Sequence, residues 1–334
     1  MSEVVAEALT RLAPKLGGAG AVLEAPQRLS GGASMETWAF AVSGPDGRRD
    51  LILRRRPPSA IPAESSDGRA VPLAVEAALI QAAGEAGVPV PPVPHVCGPE
   101  DGLGEAYVMG RVEGETLGRK IVGDPRFEAV RPKLARQCGE ILARLHTVAL
   151  PAGVELRTAD AAAELDKYEE VYRNSGAKRP VIELAFRHLR DHAPKASQAV
   201  LVHGDFRNGN LMIHPETGVA AVLDWELPHL GDPAEDLGWL CVNSWRFGRA
   251  DRPVGGFGDY QDLLDGYLSA GGKDVTLEKV LFWQALGSLK WGVMCLIMYM
   301  SMHVNKEAGV ERAVIGRRVS ETEIDIIRIL ERGL

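Results

Sequence analysis

Cysteine is scarce in this chain, and what there is does not cluster. Cys97, Cys138, Cys241 and Cys295 are the four in 334 residues, and no two have the spacing of a metal knuckle or a redox pair. That pattern fits free thiols in a reducing compartment. A basic segment leading into an apolar run is missing after Met1-Ser2-Glu3, so no signal peptide is expected. The longest uncharged apolar run lies between Lys290 and Lys306, which is shorter than the ~20 residues that span a bilayer. A buried helix is therefore expected there, and no membrane partner. Excess basic charge is also missing. The net charge of −7 argues against general nucleic-acid binding, although it is compatible with a cationic substrate. Repeats and low-complexity tracts are absent. A hydrophobic content of 46% with 25% charged residues is ordinary for a globular chain, and this length allows two lobes around a cleft. The expected compartment is the cytoplasm, and the expected state a monomer or homodimer.

The most informative stretch runs from Leu201 to Ile213, His203-Gly204-Asp205-Phe206-Arg207-Asn208-Gly209-Asn210 at its centre. Strand-like apolar residues flank this polar loop. Leu211 to Ile213 and Val219 to Leu223 read as a hairpin closed by Pro215-Glu216-Thr217-Gly218, and Asp224-Trp225-Glu226 follows. Moving a phosphoryl group from ATP to a hydroxyl needs one carboxylate at the hydroxyl, to orient it and take its proton. It also needs hard oxygen ligands for Mg²⁺, which binds at about 2 Å in near-octahedral geometry. Asp205, Asn210 and Asp224 supply those residue types in the order used by kinase-like folds, and a hairpin would hold Asn210 and Asp224 at neighbouring strand ends. A polar turn between two core strands would need none of this order.

His203-Gly204-Asp205 through Asn210, then Asp224-Trp225-Glu226, then Gly231-Asp232-Pro233-Ala234-Glu235-Asp236-Leu237, resembles the aminoglycoside phosphotransferase family. Within it the chain is most similar to the kinase-like branch fused to, or encoded beside, acyl-CoA dehydrogenases. The resemblance spans about Gln27 to Trp291. It implies an α+β, bilobal protein-kinase-like fold: residues 1–109 an ATP-binding lobe with an antiparallel sheet and a helix, 110–114 a hinge, and 115–334 a mainly helical catalytic and acceptor-binding lobe. It implies ATP and Mg²⁺ as cofactors and a small-molecule hydroxyl acceptor as partner, with Asp205 catalytic and Asn210 and Asp224 on the metal.

Further roles follow from the resemblance. Strand, Gly31-Gly32-Ala33-Ser34, strand is the arrangement of a phosphate-covering loop, with Gly31, Gly32 and Ser34 near the nucleotide. The phosphate-binding basic residue falls at Arg54, where many members carry Lys. A guanidinium fork also suits phosphate. Arg55 and Arg56 better fit a solvated basic edge. Glu76, on a helix over Val71 to Ala86, occupies the position of the glutamate that pairs with that basic residue. Met109, Gly110 and Val112 fall at the hinge, where the Gly110 carbonyl and Val112 amide would read adenine. Asp236 is assigned to supporting the catalytic loop, Glu226 to the metal's surroundings, and His146 to a cap or core role. Pro57 to Arg69 reads as a loop. Helices are expected over Glu3–Leu16, Phe127–Val148, Ala159–Tyr172, Val181–His192, Tyr260–Leu268, Leu277–Asn305 and Ile324–Leu330. The methionines from Met294 to Met302 fit core filler. Tyr168, Tyr172 and Arg173 are candidates for an acceptor pocket, with surface positions as the default.

The acceptor stays open between a hydroxyacyl-CoA-type metabolite, an aminoglycoside or other antibiotic, and a choline-like amino-alcohol. The branch favours the first. A nucleotide-binding pseudokinase is the alternative of another class, favoured by the missing Lys and by Met35. A protein kinase fits least, since Asp224 runs straight into Gly231-Asp232-Pro233 with no room for a long activation loop.

Overall fold

The computed structural model describes residues 2–29, 35–57, 70–195, 197–304 and 314–332. Helix α1 (Ser2–Gly17) buries Val5, Leu9, Leu12 and Leu16 on one face, the spacing an amphipathic helix needs. That face packs on an antiparallel sheet of β1 (Val22–Arg28), β2 (Glu36–Gly44), β3 (Gly47–Arg55), β5 (Ala106–Gly110) and β4 (His95–Val96), in the order β1-β2-β3-β5-β4. The β2–β3 hairpin turns tightly at Gly44↔Gly47, and its register places Thr37 opposite Arg54. Trp38, Phe40, Leu51, Leu53 and Val108 complete this core with the α1 stripe. Each such fully buried large side chain contributes about 1.5–3 kcal/mol over exposure. Helix α2 (Leu73–Glu85) lies against β5, and its Leu73, Ala77 and Ile80 join a second, larger core.

That second core is mostly helical: α3 (Gly118–Gly123), α4 (Arg131–Leu145), α5 (Ala161–Asn174), α6 (Pro180–Asp191), α7 (Ala234–Leu240), α8 (Tyr260–Ser269), α9 (Leu277–Val304) and α10 (Val319–Arg332). Two small antiparallel pairs interrupt it. β6 (Val200–Val202) pairs with β9 (His229–Gly231), and β7 (Leu211–His214) with β8 (Gly218–Val222). The anticipated architecture, a sheet with one helix followed by a mainly helical part, is present.

The anticipated elements fall within a few residues of those observed. The short strands β4 and β9 and helix α3 carried too little periodicity to be read. The 24-residue stretch Leu277–Met300 is long and apolar enough to cross a membrane, yet 67% of its most apolar window is buried in the protein. Its all-round hydrophobicity is that of a central core helix, touching α5, α6, α7 and α10. The loop over 58–69, residue 305 at the expected end of α9, and the Met302 side chain lie outside the described residues.

Candidate active site

The loop between β6 and β7 is fixed from behind. Asp236, fully buried at the start of α7, accepts hydrogen bonds from the backbone N–H of His203 at 2.7 Å and of Gly204 at 3.0 Å. His146 Nε2 lies 3.6 Å from the same carboxylate, and His146 Nδ1 is 2.9 Å from the Tyr267 hydroxyl. Asp236 supports the loop, as anticipated, and His146 takes the expected cap position at the end of α4 while also reaching Asp236. Gly204 has φ +77°, and a Cβ there would sit 2.3 Å from the Leu227 carbonyl oxygen, so glycine is required. His203 is fully buried and acts as a clamp. Its Nδ1 accepts from the Asp205 amide at 3.2 Å, and its Nε2–H donates to the Leu223 carbonyl at 3.0 Å. One imidazole thus ties the loop of Asp205 to the strand end before Asp224.

The hairpin does the rest. Leu211 pairs with Val222, and the Leu223 amide donates to the Asn210 carbonyl at 2.8 Å. Asn210 and Asp224 therefore emerge side by side. Asp224 has φ +66°, in the left-handed region that few non-glycine residues adopt. Such strain is kept where a side chain must point one way. Asn210 Nδ2 donates to Asp205 Oδ2 at 2.6 Å, which leaves its Oδ1 as a ligand atom. Asp224 Oδ2 takes no hydrogen bond from a described residue. Two hard oxygen donors on one rigid hairpin, lining one cavity, fit Mg²⁺.

The cavity has a volume of about 420 Å³. Ile80, Tyr107, Met109 and Val222 form apolar walls, and Arg54, Asn210, Asp224 and Glu226 form the polar end. Arg54 is the hub of that end. Its Nε lies 3.0 Å from Glu76 Oε1, and its Nη2 lies 2.7 Å from Asp224 Oδ1 and 3.5 Å from Glu226 Oε2. Tyr107 donates to Glu76 at 2.8 Å. Burial pushes the Glu76 carboxyl up, opposed by the Arg54 charge beside it. Burial, then the neighbouring Asp224 carboxylate, raises Glu226 to about 7.

Arg54 and Glu76 are thus a contact pair, as the register implied. Met109 lines the cavity, while Gly110 and Val112 are not among its lining residues. The Gly110 amide donates to the Pro92 carbonyl and the Arg111 amide to the Asp50 carbonyl, so this segment is tied to its neighbours. Gly31, Gly32 and Ser34 lie outside the described residues, and Met35 lines the cavity. Arg55 and Arg56 are not a solvated edge. Arg55 is buried against Glu36 at 3.5 Å, and Arg56 pairs with Glu105 at 2.7 Å. Tyr168 and Tyr172 are corrected too. Both are buried in the helical core, while Arg173 is on the surface, paired with Glu169 and Glu183.

Asp205 is held by three side chains. Arg207 Nε donates to Oδ1 at 3.0 Å and to Oδ2 at 3.2 Å, Trp239 Nε1 to Oδ1 at 2.7 Å, and Asn210 to Oδ2. Neither Arg207 nor Trp239 was read from the sequence. A lone arginine in a loop and a tryptophan on a short helix look like surface and core. Only the fold brings Trp239, 34 residues downstream, onto the carboxylate.

A kinase-like fold with Asn210 and Asp224 on one cavity and Asp205 hydrogen-bonded to Asn210 is the arrangement of a phosphotransferase family. The sequence profile described as "Phosphotransferase enzyme family" matches residues 26–271, and the chain belongs to that family. Relatives include acyl-CoA dehydrogenase family member 10 of Mus musculus, 31% identical over 58% of this chain, and the probable acyl-CoA dehydrogenase IBR3 of Arabidopsis thaliana, 29% identical over 64%. The alignments take in only 18% and 27% of those longer proteins. Among solved structures, a putative aminoglycoside phosphotransferase from Ralstonia eutropha superposes with TM-score 0.72 at 22% identity, covering 98% of both chains. A spectinomycin phosphotransferase solved with ADP and spectinomycin gives 0.64 at 13% identity, covering 95% of this chain and 97% of that one. At these identities the likeness is one of fold.

Proposed function

We propose that this protein transfers the γ-phosphoryl group of ATP to a hydroxyl of a small molecule, with Asp205 as the group that receives the acceptor. The observation that carries this reading is the shared framework of Asp205, Asn210 and Asp224, bound together by His203 and the Leu223–Asn210 hydrogen bond. The acceptor oxygen forms a bond to the γ-phosphorus as the bond to the β,γ-bridging oxygen breaks. The proton passes to the Asp205 carboxylate, and ADP leaves with the electron pair. Asn210 and Asp224 would hold Mg²⁺, which when bound offsets phosphate charge and fixes phosphate orientation. Arg54, held by Glu76, lies at the polar end of the cavity, where it would meet the phosphates once drawn off Asp224. Tyr107, Ile80 and Met109 supply the apolar walls an adenine needs. The lobe boundary belongs at 110–114, and those residues would read the base by main-chain groups.

For the acceptor we favour a hydroxyacyl-CoA-type metabolite. The names of the relatives support it, and so does the state of the acidic residues of α5 and α6. Glu164 is buried between Arg157 and Lys290, and Glu169 and Glu183 are paired with arginines. No run of free carboxylates awaits a polycation among these. A nucleotide-binding protein without turnover is favoured by one feature, Arg54 seated on Asp224. Mass-spectrometric detection of phosphorylated product from Mg-ATP and a panel of hydroxyacyl-CoAs, aminoglycosides and amino-alcohols separates these readings. Product that vanishes in Asp205→Ala supports transfer. Tight Mg-ATP binding with no product from any class overturns it.

A further inference from the structure

The surroundings of Asp205 are cationic and aromatic. Arg207 sits over the Trp245 ring, its guanidinium carbon 4.5 Å from the centroid. Trp245 packs on Trp239 at 5.3 Å and on Trp291 at 5.0 Å between centroids. Lys290 Nζ lies 5.1 Å from the Trp239 ring and is paired with Glu164 and Glu235. The loop is built to admit this arrangement. Gly209 has φ +119°, and a Cβ there would stand 2.6 Å from Arg207 Nη1. Arg207 uses only Nε on Asp205. Its two terminal nitrogens have no hydrogen-bond partner among the described residues, and its side chain is 24% exposed. The buried indole N–H groups of Trp245 and Trp291 likewise lack a partner. Buried donors without acceptors are costly unless a ligand supplies the acceptor.

We propose that Arg207, seated on Trp245, selects the acceptor: it holds Asp205 through Nε and offers its terminal nitrogens to a carbonyl or carboxylate oxygen of the molecule being phosphorylated. The inference rests on Asp205 receiving the acceptor hydroxyl. Covalent geometry then leaves little choice. A hydroxyl within hydrogen-bond distance of Asp205 brings its neighbouring atoms against the guanidinium bonded to that same carboxylate. A carbonyl there gains a charge-assisted hydrogen bond. A quaternary or protonated amine there meets a like charge already stacked on the aromatic face that would otherwise attract it. The site therefore takes hydroxy-carbonyl compounds and rejects amino-alcohols. Trp239, whose N–H and Lys290-backed ring fix Asp205, is a positioning residue.

Calorimetry tests this without relying on turnover. The full chain, saturated with Mg²⁺ and a non-hydrolysable ATP analogue, is titrated with 3-hydroxybutyryl-CoA, with CoA and with choline. The wild type should bind the hydroxyacyl thioester more tightly than CoA, and choline more weakly than either. Arg207→Gln should erase the acyl increment, a loss of roughly tenfold to a hundredfold, the size of one charged hydrogen bond. Affinity for CoA and for nucleotide should stay unchanged. Trp245→Leu, which removes the stacking face without touching Asp205, should lose the same increment, so the test survives if either variant fails to fold. A purely structural role would weaken all ligands alike. The proposal is overturned if choline binds as tightly as the hydroxyacyl probe, if the wild type shows no acyl increment, or if both variants keep it. Failure of the parent reading looks different: selective binding persists, but no phosphorylated product forms and Asp205→Asn leaves ATP turnover unaltered.

Discussion

Asp205 receives donors on both of its oxygens, yet its side chain remains 15% exposed, enough for one more partner. That is the condition of a base held still for an incoming hydroxyl. Asp205→Asn should keep Mg-ATP affinity and lower transfer by roughly 10²–10⁴, the usual share of general-base catalysis. Unchanged transfer in that variant would remove the assignment. Glu76 is a different case, being 1% exposed and in contact with Arg54. Truncating one partner of a buried ion pair costs about 3–5 kcal/mol when the other charge is left unpaired, and less here because Arg54 keeps Asp224 and Glu226. Glu76→Ala should therefore lower the melting temperature by several degrees and raise the KM for ATP. A loss of stability with unaltered KM would make the pair structural only. The choice of Arg54 among three adjacent arginines was legible from the family motif. The fates of Arg55 and Arg56 were not, because their partners Glu36 and Glu105 sit on other strands or loops.

At the scale of elements, the catalytic loop and the hairpin are local in sequence and could be read there. Their support is not local. Asp236 reaches back to His203 and Gly204 from the next helix, and His146 reaches from α4. Asp236→Ala should strip two backbone N–H groups of their acceptor and lower kcat more than it changes the KM for ATP, checked by steady-state kinetics. Helix contacts behind the loop are equally tight. Gly139 on α4 faces the backbone of α8, and a Cβ there would lie 2.1 Å from the Leu263 carbonyl oxygen. Gly139→Ala must separate the two helices and should cost about 1–3 kcal/mol in denaturant unfolding. A neutral result would show that α4 and α8 slide apart freely. In the sequence Gly139 is only a glycine within a helical pattern, which would predict stabilisation by alanine. Tertiary approach reverses that sign.

Across the whole molecule, one buried acid outside the candidate site should set a pH dependence. Asp325 on α10 is 8% exposed, its Oδ2 has no hydrogen-bond partner among the described residues, and burial raises its carboxyl to about 6 from 3.8. Between those values the folded protein holds a proton that the unfolded chain has released. Stability therefore falls as pH rises from about 4 to 6, and the full penalty stands above pH 6. Asp325→Asn should be more stable than wild type at pH 7.5, and the gap should shrink towards pH 4.5 in urea titrations at the two pH values. An equal gap at both would show that Asp325 does not titrate in this window.

The sequence by itself determined whatever follows from short-range chemistry: the helices from their apolar spacing, the order His-Gly-Asp, Asn, hairpin, Asp, and, through the family resemblance that order carries, the sheet and the reaction class. These signals survive in one dimension because backbone turns and paired strands place residues a few positions apart. Tertiary structure alone decided the rest. It put Trp239, Trp245 and Lys290 behind Asp205, buried Tyr168 and Tyr172, and seated Arg54 on Asp224 and Glu226 as well as on Glu76. Charge pairing and aromatic packing act across space at a few ångströms, and only the folded chain brings partners distant in sequence within that reach.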